Sequence, residues 1–221
     1  MIKGFSGTTL IDFPGKIASI IFIGGCNFRC PICHNPELVL PELLRELKDI
    51  DEEYIIKEIE RRKGFIDGVV ITGGEPLLYD ETIELAKRIK ENGLLVKLDT
   101  NGSFPERLKK IIPFVDYIAM DIKTSLERYN HAAGVSVEID KIIESIEIIK
   151  KFPEHEFRTT IHPDFVTRED IIKICEMIKG SKNYTIQNAK GYKNIDENIR
   201  KRLYSDKEFE ELKEFVRNIL K

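Results

Sequence analysis

Short apolar runs alternate with longer amphipathic stretches along most of the chain. The apolar runs are rich in Ile and Val and too short for buried helices, so they predict strands. We place six strands, over residues 17–23, 68–72, 94–99, 116–121, 156–162 and 183–187. Helical periodicity fills the intervals and follows the last strand, predicting helices over residues 51–63, 80–92, 104–112, 140–151, 168–179 and 205–220.

Six repeats of strand then helix predict a parallel sheet with right-handed crossovers. Two α/β architectures fit this pattern: an open doubly wound sheet, and a (β/α) barrel that is partial because six units are fewer than eight. Periodicity alone does not choose between them. We find no linker, composition shift or internal repeat, so residues 1–221 are expected to form one domain, with its core at about 15–188 and a C-terminal helix at 205–220.

Unusual polar clusters stand at the C-terminal ends of the predicted strands. In chain order they are Cys26 to Cys33, Gly73-Gly74-Glu75-Pro76, Asp99-Thr100-Asn101-Gly102, Asp121-Ile122-Lys123, His162-Pro163 and Gln187-Asn188. Parallel α/β folds assemble their active sites at this edge of the sheet. The sequence therefore predicts an active site at the C-terminal strand ends.

The composition narrows the class of protein. Hydrophobic residues make up 42% of the chain and charged residues 33%, which excludes disordered and low-complexity classes. The 35 basic and 38 acidic residues nearly cancel, so we expect no nucleic-acid partner held by phosphate contacts. No stretch approaches the roughly 20 apolar residues of a membrane span, so we expect no membrane partner and a cytoplasmic protein.

Three of the four cysteines are clustered as Cys-x3-Cys-x2-Cys, at Cys26, Cys30 and Cys33. Such a cluster is typical of metal ligation in a reducing compartment. Three thiolates can hold three corners of a [4Fe–4S] cluster and leave one iron open. Structural zinc with His34 as fourth ligand is the alternative, although adjacent Cys33 and His34 make joint tetrahedral coordination awkward. Cys175 falls on the apolar face of its helix and is expected to be a buried core thiol.

The cysteine loop and the Gly-Gly-Glu-Pro turn after the second strand together resemble the radical S-adenosylmethionine (SAM) superfamily. The resemblance extends from Gly15 to about Gln187. It implies a partial (β/α)6 TIM-type barrel, a [4Fe–4S] cluster on the three clustered cysteines, and SAM as cofactor. In that superfamily the open iron binds the amino and carboxylate groups of SAM. An electron from the reduced cluster then cleaves SAM, and a 5′-deoxyadenosyl radical abstracts hydrogen from the substrate.

Further motifs are similar to the activating enzymes of glycyl radical enzymes, and most of all to the activating proteins of anaerobic ribonucleoside-triphosphate reductases. The motifs lie at residues 9–15, 25–37, 99–102 and 121–123. They imply a glycyl radical enzyme as protein substrate and reduced flavodoxin or ferredoxin as electron donor. Residues 125–137 are either a docking loop for that partner or a plain connection. A radical SAM enzyme acting on a small molecule or peptide, and a non-catalytic Fe–S or zinc module, remain alternatives.

The resemblance also implies a set of cofactor-binding residues, but it assigns no catalytic side chain. The set is Ile32, His34, Gly73, Gly74, Glu75, Asp99, Asn101, Asp121, Lys123 and His162. The glycines would let the backbone approach SAM, whose ammonium would meet carbonyl oxygens or the Glu75 carboxylate. Asp99 and Asp121 would face each other, and Lys123 or a bound monovalent cation would relieve their repulsion. Ile32 stands where many members carry an aromatic residue against adenine.

Overall fold

The computed structural model describes residues 1–189, 194–196, 199 and 203–220, and this part of the chain contains one sheet of seven strands. The strands are β1 (Ile2–Thr9), β2 (Ala18–Ile23), β3 (Gly68–Gly73), β4 (Leu95–Thr100), β5 (Tyr117–Asp121), β6 (His155–Ile161) and β7 (Tyr184–Asn188). They lie side by side in chain order. β1 is antiparallel to β2, and every later pair is parallel. The six predicted strands are β2 to β7, and their unclosed parallel sheet confirms the α/β partial-barrel prediction.

Eight α-helices pack around the sheet within the described residues. They are α1 (Pro41–Leu44), α2 (Glu52–Arg62), α3 (Glu81–Glu91), α4 (Pro105–Ile111), α5 (Tyr129–Ala133), α6 (Ile139–Lys150), α7 (Arg168–Met177) and α8 (Asp206–Ile219). The six predicted helices correspond to α2, α3, α4, α6, α7 and α8. The starts of α7 and α8 carry the capping boxes that the sequence indicates, on Thr167 with Asp170 and on Ser205 with Glu208. Among the described helices, none combines the length and apolarity needed to cross a membrane.

The first strand, β1, was not predicted. Its sequence contains two glycines and several polar residues, so it lacks an apolar run. Pairing with β2 stabilises β1 instead. The pairing extends from Ile2 opposite Ile23 to Thr9 opposite Ala18, with two irregularities in register. Gly4 allows close packing, because a Cβ there would lie 3.1 Å from the Phe22 ring. Such an edge strand depends on its neighbour and leaves a weak signal in its own sequence.

The alternation of side chains along the strands separates two environments. Outward-facing aliphatic residues of β2 to β5 pack against the helices in the main core. On the inner face a smaller cluster, including Phe13, Ile20, Val70 and Tyr117, fills the end of the barrel at which the parallel strands begin. Polar inner-face residues therefore collect toward the opposite end, where the strands finish.

Candidate active site

A cavity of about 350 Å³ lies at the C-terminal ends of the parallel strands. Its volume is in the range of small-molecule and cofactor sites. The predicted residues that line it are Cys26, Cys30, Ile32, Cys33, His34, Gly73, Gly74, Asp99, Asn101, Asp121 and Lys123. The structure thus brings the motifs of β2, β3, β4 and β5 to one cavity, as the position of the strand ends predicts.

The cysteine loop that follows β2 is held by its own backbone. The Phe28 amide donates to the Sγ of Cys26 at 3.4 Å, and the Cys33 amide donates to the Cys30 carbonyl at 2.9 Å. Burial raises the pKa of Cys26 to about 12, and burial also raises the pKa of Cys30 and of Cys33. In the metal-free chain the thiols are therefore protonated at neutral pH, and each must release its proton to become a ligand.

The donor set fits a [4Fe–4S] cluster. The thiols of Cys26, Cys30 and Cys33 are free, half-buried and open to the same cavity. Three thiolates are the ligands that leave one corner of a cubane without a protein donor. Within the described residues, no three His, Cys, Asp or Glu side chains converge on a single metal ion. A cubane does not require such convergence, because each thiolate binds a different iron.

The segment after β5, a candidate docking loop, forms α5 and supports the cysteine loop. The Tyr129 ring packs edge-on against Phe28, with ring centroids 6.4 Å apart. The Arg29 amide donates to the Ala133 carbonyl at 2.8 Å. At Gly134, whose φ is 69°, a Cβ would lie 2.1 Å from the Arg29 carbonyl oxygen. These contacts make α5 a support for the cysteine loop.

The two glycines at the end of β3, Gly73 and Gly74, allow a close backbone crossing. A Cβ on Gly74 would lie 2.0 Å from the carbonyl oxygen of Gly25, next to the first clustered cysteine. Gly73 has φ of 124°, and a Cβ there would lie 2.3 Å from the Ile23 carbonyl oxygen. Packing against the chain end of β2 therefore requires both glycines, whatever they contact in the cavity, which they also line.

Glu75 does not line the cavity, and its role as a direct cofactor contact stays a prediction. Its side chain is fully buried. The carboxylate accepts hydrogen bonds from the Leu77 amide at 2.9 Å, the Thr100 hydroxyl at 2.8 Å and the Asn101 amide at 2.6 Å. Burial raises the pKa of Glu75 to about 7, against the opposing effect of these hydrogen bonds. Glu75 thus joins the turn after β3 to the loop after β4.

We expect Glu75→Gln to lower the free energy of unfolding of the metal-free chain by about 2 kcal/mol. An amide nitrogen would replace one carboxylate oxygen and face an N–H or O–H donor in a fully buried place. Urea unfolding at neutral pH measures the change. The exposed Glu91→Gln serves as the control, and equal stability of the two variants would contradict the joining role of Glu75.

Asn101 connects the loop after β4 to the cysteine loop. Its Nδ2 donates to the side-chain oxygen of Asn27 at 3.0 Å and lies 3.9 Å from the Sγ of Cys26. Its Oδ1 accepts the Ser103 amide at 2.9 Å, which fixes the orientation of the side-chain amide. Asn101 therefore places an N–H donor near the Cys26 thiol, and it also lines the cavity.

His162 is buried outside the cavity lining, and its role in the cofactor site stays a prediction. The ring is fully buried and packs against Phe165, with centroids 5.5 Å apart. Its Nδ1 accepts the Asp164 amide at 3.1 Å, and its Nε2 lies 3.4 Å from the Ile199 carbonyl oxygen. The ring packs against residues of the turn that precedes α7, and His162 does not line the cavity.

Asp99 and Asp121 both line the cavity, and an arginine that the sequence analysis missed bonds to both of them. Arg158 Nε donates to Asp121 at 2.9 Å, and its Nη1 donates to Asp99 at 3.3 Å. Lys123 Nζ lies 3.3 Å from the other oxygen of Asp121. Burial alone would raise the pKa of Asp121, but the charges of Arg158 and Lys123 outweigh burial and hold it well below its usual range.

The signal for Arg158 was present in the alternation of β6. Glu156, Arg158 and Thr160 alternate with the buried Phe157, Thr159 and Ile161. Alternate residues of a strand share one face, so the three polar residues point into the barrel together. Arg158, Thr160 and Thr72 line the cavity in addition to the predicted residues.

Known proteins with similar sequences indicate the family of this chain. Residues 20–178 match the model of the radical SAM superfamily. A protein of Methanocaldococcus jannaschii named as a glycyl-radical enzyme activating enzyme is 35% identical over 91% of this chain and 85% of its own. The pyruvate formate-lyase-activating enzyme of Clostridium pasteurianum is 29% identical over 82% of this chain and 77% of its own.

Solved structures share the fold. Streptococcus suis SuiB bound to S-adenosylmethionine superposes with a TM-score of 0.68 at 17% identity, over 90% of this chain and 48% of that one. A domain of the pyruvate formate-lyase-activating enzyme from Bacteroides vulgatus gives a TM-score of 0.55 at 17% identity, over 69% of this chain and 94% of the domain. The sequence relatives are enzymes, which removes the alternative of a non-catalytic module. The chain therefore belongs to the radical SAM superfamily and, within it, to the glycyl-radical enzyme activating enzymes.

Proposed function

We propose that this protein installs a glycyl radical on anaerobic ribonucleotide reductase, using SAM and a [4Fe–4S] cluster held by Cys26, Cys30 and Cys33. One observation carries the proposal: these three thiols open onto a cavity whose wall also presents Asp121, Lys123 and other charged groups. The family implies both the cluster and SAM. When bound, they supply one-electron reductive cleavage of SAM, which provides the radical that removes hydrogen from the partner's glycine.

The charges of the cavity suit a zwitterionic cofactor with hydroxyl groups. Burial alone would lower the pKa of Lys123 and of Arg158, but neighbouring Asp121 raises both pKa values, so the two cations stay charged at neutral pH. They can attract the carboxylate of SAM. Carbonyl oxygens after β3 offer acceptors for its ammonium, and Asp99 and Asn101 offer acceptors for its ribose hydroxyls. Ile32 offers aliphatic surface to adenine.

The open edge of the barrel offers access to a protein loop. β1 and β7 are the outer strands of the described sheet and do not pair with each other. A flexible glycine-containing segment of a partner can reach the cavity through such an opening, whereas a small substrate would need a cover. This access favours a protein substrate.

The choice of partner rests on the motifs at residues 9–15 and 25–37, which are most similar to activating proteins of anaerobic ribonucleotide reductases. Reduced flavodoxin or ferredoxin as electron donor, and a cytoplasmic location, belong to the same proposal. The monovalent cation predicted beside Asp99 and Asp121 is not part of this proposal, because cationic side chains of the chain already pair with both carboxylates.

Electron paramagnetic resonance tests the function. The cluster-loaded chain is incubated anaerobically with SAM, a reductant and the anaerobic ribonucleotide reductase of the source organism. We expect a doublet from the remaining α-hydrogen of the glycyl radical, which collapses when the glycine is deuterated. The Cys30→Ala chain is the inactive control. Formation of 5′-deoxyadenosine without a radical on any glycyl radical enzyme of that organism would favour a small-molecule or peptide substrate instead.

A further inference from the structure

Every carboxylate oxygen of Asp99 and Asp121 already has a cationic donor from the chain. Asp121 accepts Arg158 Nε on one oxygen and lies 3.3 Å from Lys123 Nζ on the other. Asp99 accepts Arg158 Nη1 at 3.3 Å on one oxygen, and the ammonium of Lys97 on the other. The pair of carboxylates is therefore neutralised from within the protein.

An added monovalent cation does not fit this arrangement. A cation is attracted to carboxylate oxygens whose negative charge is not already balanced, and it is repelled by cationic side chains that pair with those oxygens. The inner-face cluster contains three acidic groups, counting Glu156, whose carboxylate lies 3.9 Å from Arg158 and 4.0 Å from Lys97. Lys97, Lys123 and Arg158 balance the three acidic charges. A further cation would have to displace one of these side chains or carry an unbalanced charge.

Lys97 is the member of this cluster whose presence needs an explanation. Its side chain is 2% exposed, and its Nζ lies 5.9 Å from the centre of the Tyr117 ring. Burying an ammonium group is costly unless it is well paired. Lys97 precedes Asp99 by two residues on β4, so both side chains lie on the inner face. Unlike Lys123 and Arg158, Lys97 does not line the cavity.

We propose that the Lys97 ammonium takes the place of a bound monovalent cation and fixes Asp99 for cofactor binding. Lys97 is thus a positioning residue that acts through Asp99. This inference rests on the proposed SAM site, and it adds a definite property: the protein needs neither sodium nor potassium ions to bind and cleave SAM.

The first experiment measures SAM cleavage by the reduced, cluster-loaded chain without a partner protein. The buffer contains about 0.1 M of sodium, potassium or tetramethylammonium chloride, so that ionic strength is constant. We expect the wild-type rate to differ less than about twofold among the three salts. Lys97→Met should lose at least about tenfold in tetramethylammonium and regain activity in sodium or potassium, because a small ion can enter beside Asp99. Lys97→Arg should behave as the wild type.

The second experiment uses the metal-free chain, so it does not depend on the proposed activity. Thermal unfolding is measured in the same three salts. Sodium or potassium should raise the Tm of Lys97→Met above its value in tetramethylammonium and leave the wild type unchanged. Lys90→Met is the matched control, because Lys90 pairs with Asp116 at 2.7 Å outside the cavity. The control should lose stability without gaining a response to the cation.

A wild-type chain whose cleavage rate or Tm depends on sodium or potassium would overturn the inference. A folded Lys97→Met chain that responds to none of the ions would overturn it as well. If Lys97→Met does not fold, the wild type and Lys97→Arg test the inference. The cleavage rate and the Tm of both chains must then be the same in all three salts. Absence of SAM cleavage in every salt would refute the proposed function, while the unfolding series would still decide the role of Lys97.

Discussion

Replacing any one of Cys26, Cys30 and Cys33 by alanine is expected to abolish cluster binding and SAM cleavage. In the proposed cluster each thiol would supply one of three protein ligands, so its loss would leave a second iron without one. Iron and sulfide content after anaerobic reconstitution measures the cluster, and 5′-deoxyadenosine formation measures the cleavage. We expect cleavage to fall by more than about a hundredfold in each variant, a larger effect than loss of a supporting contact around a metal site.

Cys175 provides the matched control for the cysteine series. It is 4% exposed on α7 and packs in the cluster that contains Ile171, as the sequence predicts. Burial raises the pKa of Cys175 to about 11, so the thiol stays protonated and unreactive. Cys175→Ala should keep the iron, with a loss of about 1 kcal/mol in unfolding free energy. Iron retained by Cys30→Ala and lost from Cys175→Ala would contradict the ligand assignment.

Arg158→Met is expected to lower the free energy of unfolding of the metal-free chain by about 3 kcal/mol. The guanidinium pairs with both Asp99 and Asp121, and its removal leaves two neighbouring carboxylates with less compensation. Urea unfolding at neutral pH measures the loss. The exposed Arg61→Met, which breaks an ion pair with Glu58 on α2, is the control and should change stability little.

The destabilisation by Arg158→Met should depend on pH with a definite sign. In the wild type the pKa of Asp121 lies well below its unfolded value, because the charges of Arg158 and Lys123 outweigh burial. The ion pair therefore contributes stability above the unfolded pKa, and this contribution is lost as pH falls. The difference between wild type and variant should shrink below about pH 4. A double variant that adds Asp99→Asn should recover part of the loss, and a difference independent of pH and of Asp99 would contradict the account.

The parallel part of the fold could be predicted because each strand carries its own signal. Apolar runs such as 68–72 are buried on both faces and need no knowledge of their neighbours. β1 could not be found in the same way, because its stability comes from pairing with β2 and its own residues are mostly small or polar.

The cavity could be predicted as a group of strand ends, but the direction of individual side chains could not. Glu75 and His162 lie near strand ends, as Asp121 does, yet both turn into the protein and accept hydrogen bonds from backbone amides. Their direction depends on turns and packing that no local motif encodes. Arg158 and Lys97 could have been found, because alternation along a strand gives the face of each residue. Only the three-dimensional structure shows that these cations neutralise the carboxylates.

Glycyl radical formation is tested most directly by tracing the hydrogen atom that leaves the α-carbon of the partner's glycine. A glycyl radical enzyme partner labelled with deuterium on its glycine α-carbons is incubated anaerobically with the cluster-loaded chain, SAM and reductant. Mass spectrometry of the 5′-deoxyadenosine produced then reports the source of the abstracted hydrogen. We expect one deuterium in 5′-deoxyadenosine, formed together with the glycyl radical and absent with unlabelled partner. Unlabelled 5′-deoxyadenosine from every labelled glycyl radical enzyme of the source organism would contradict this expectation.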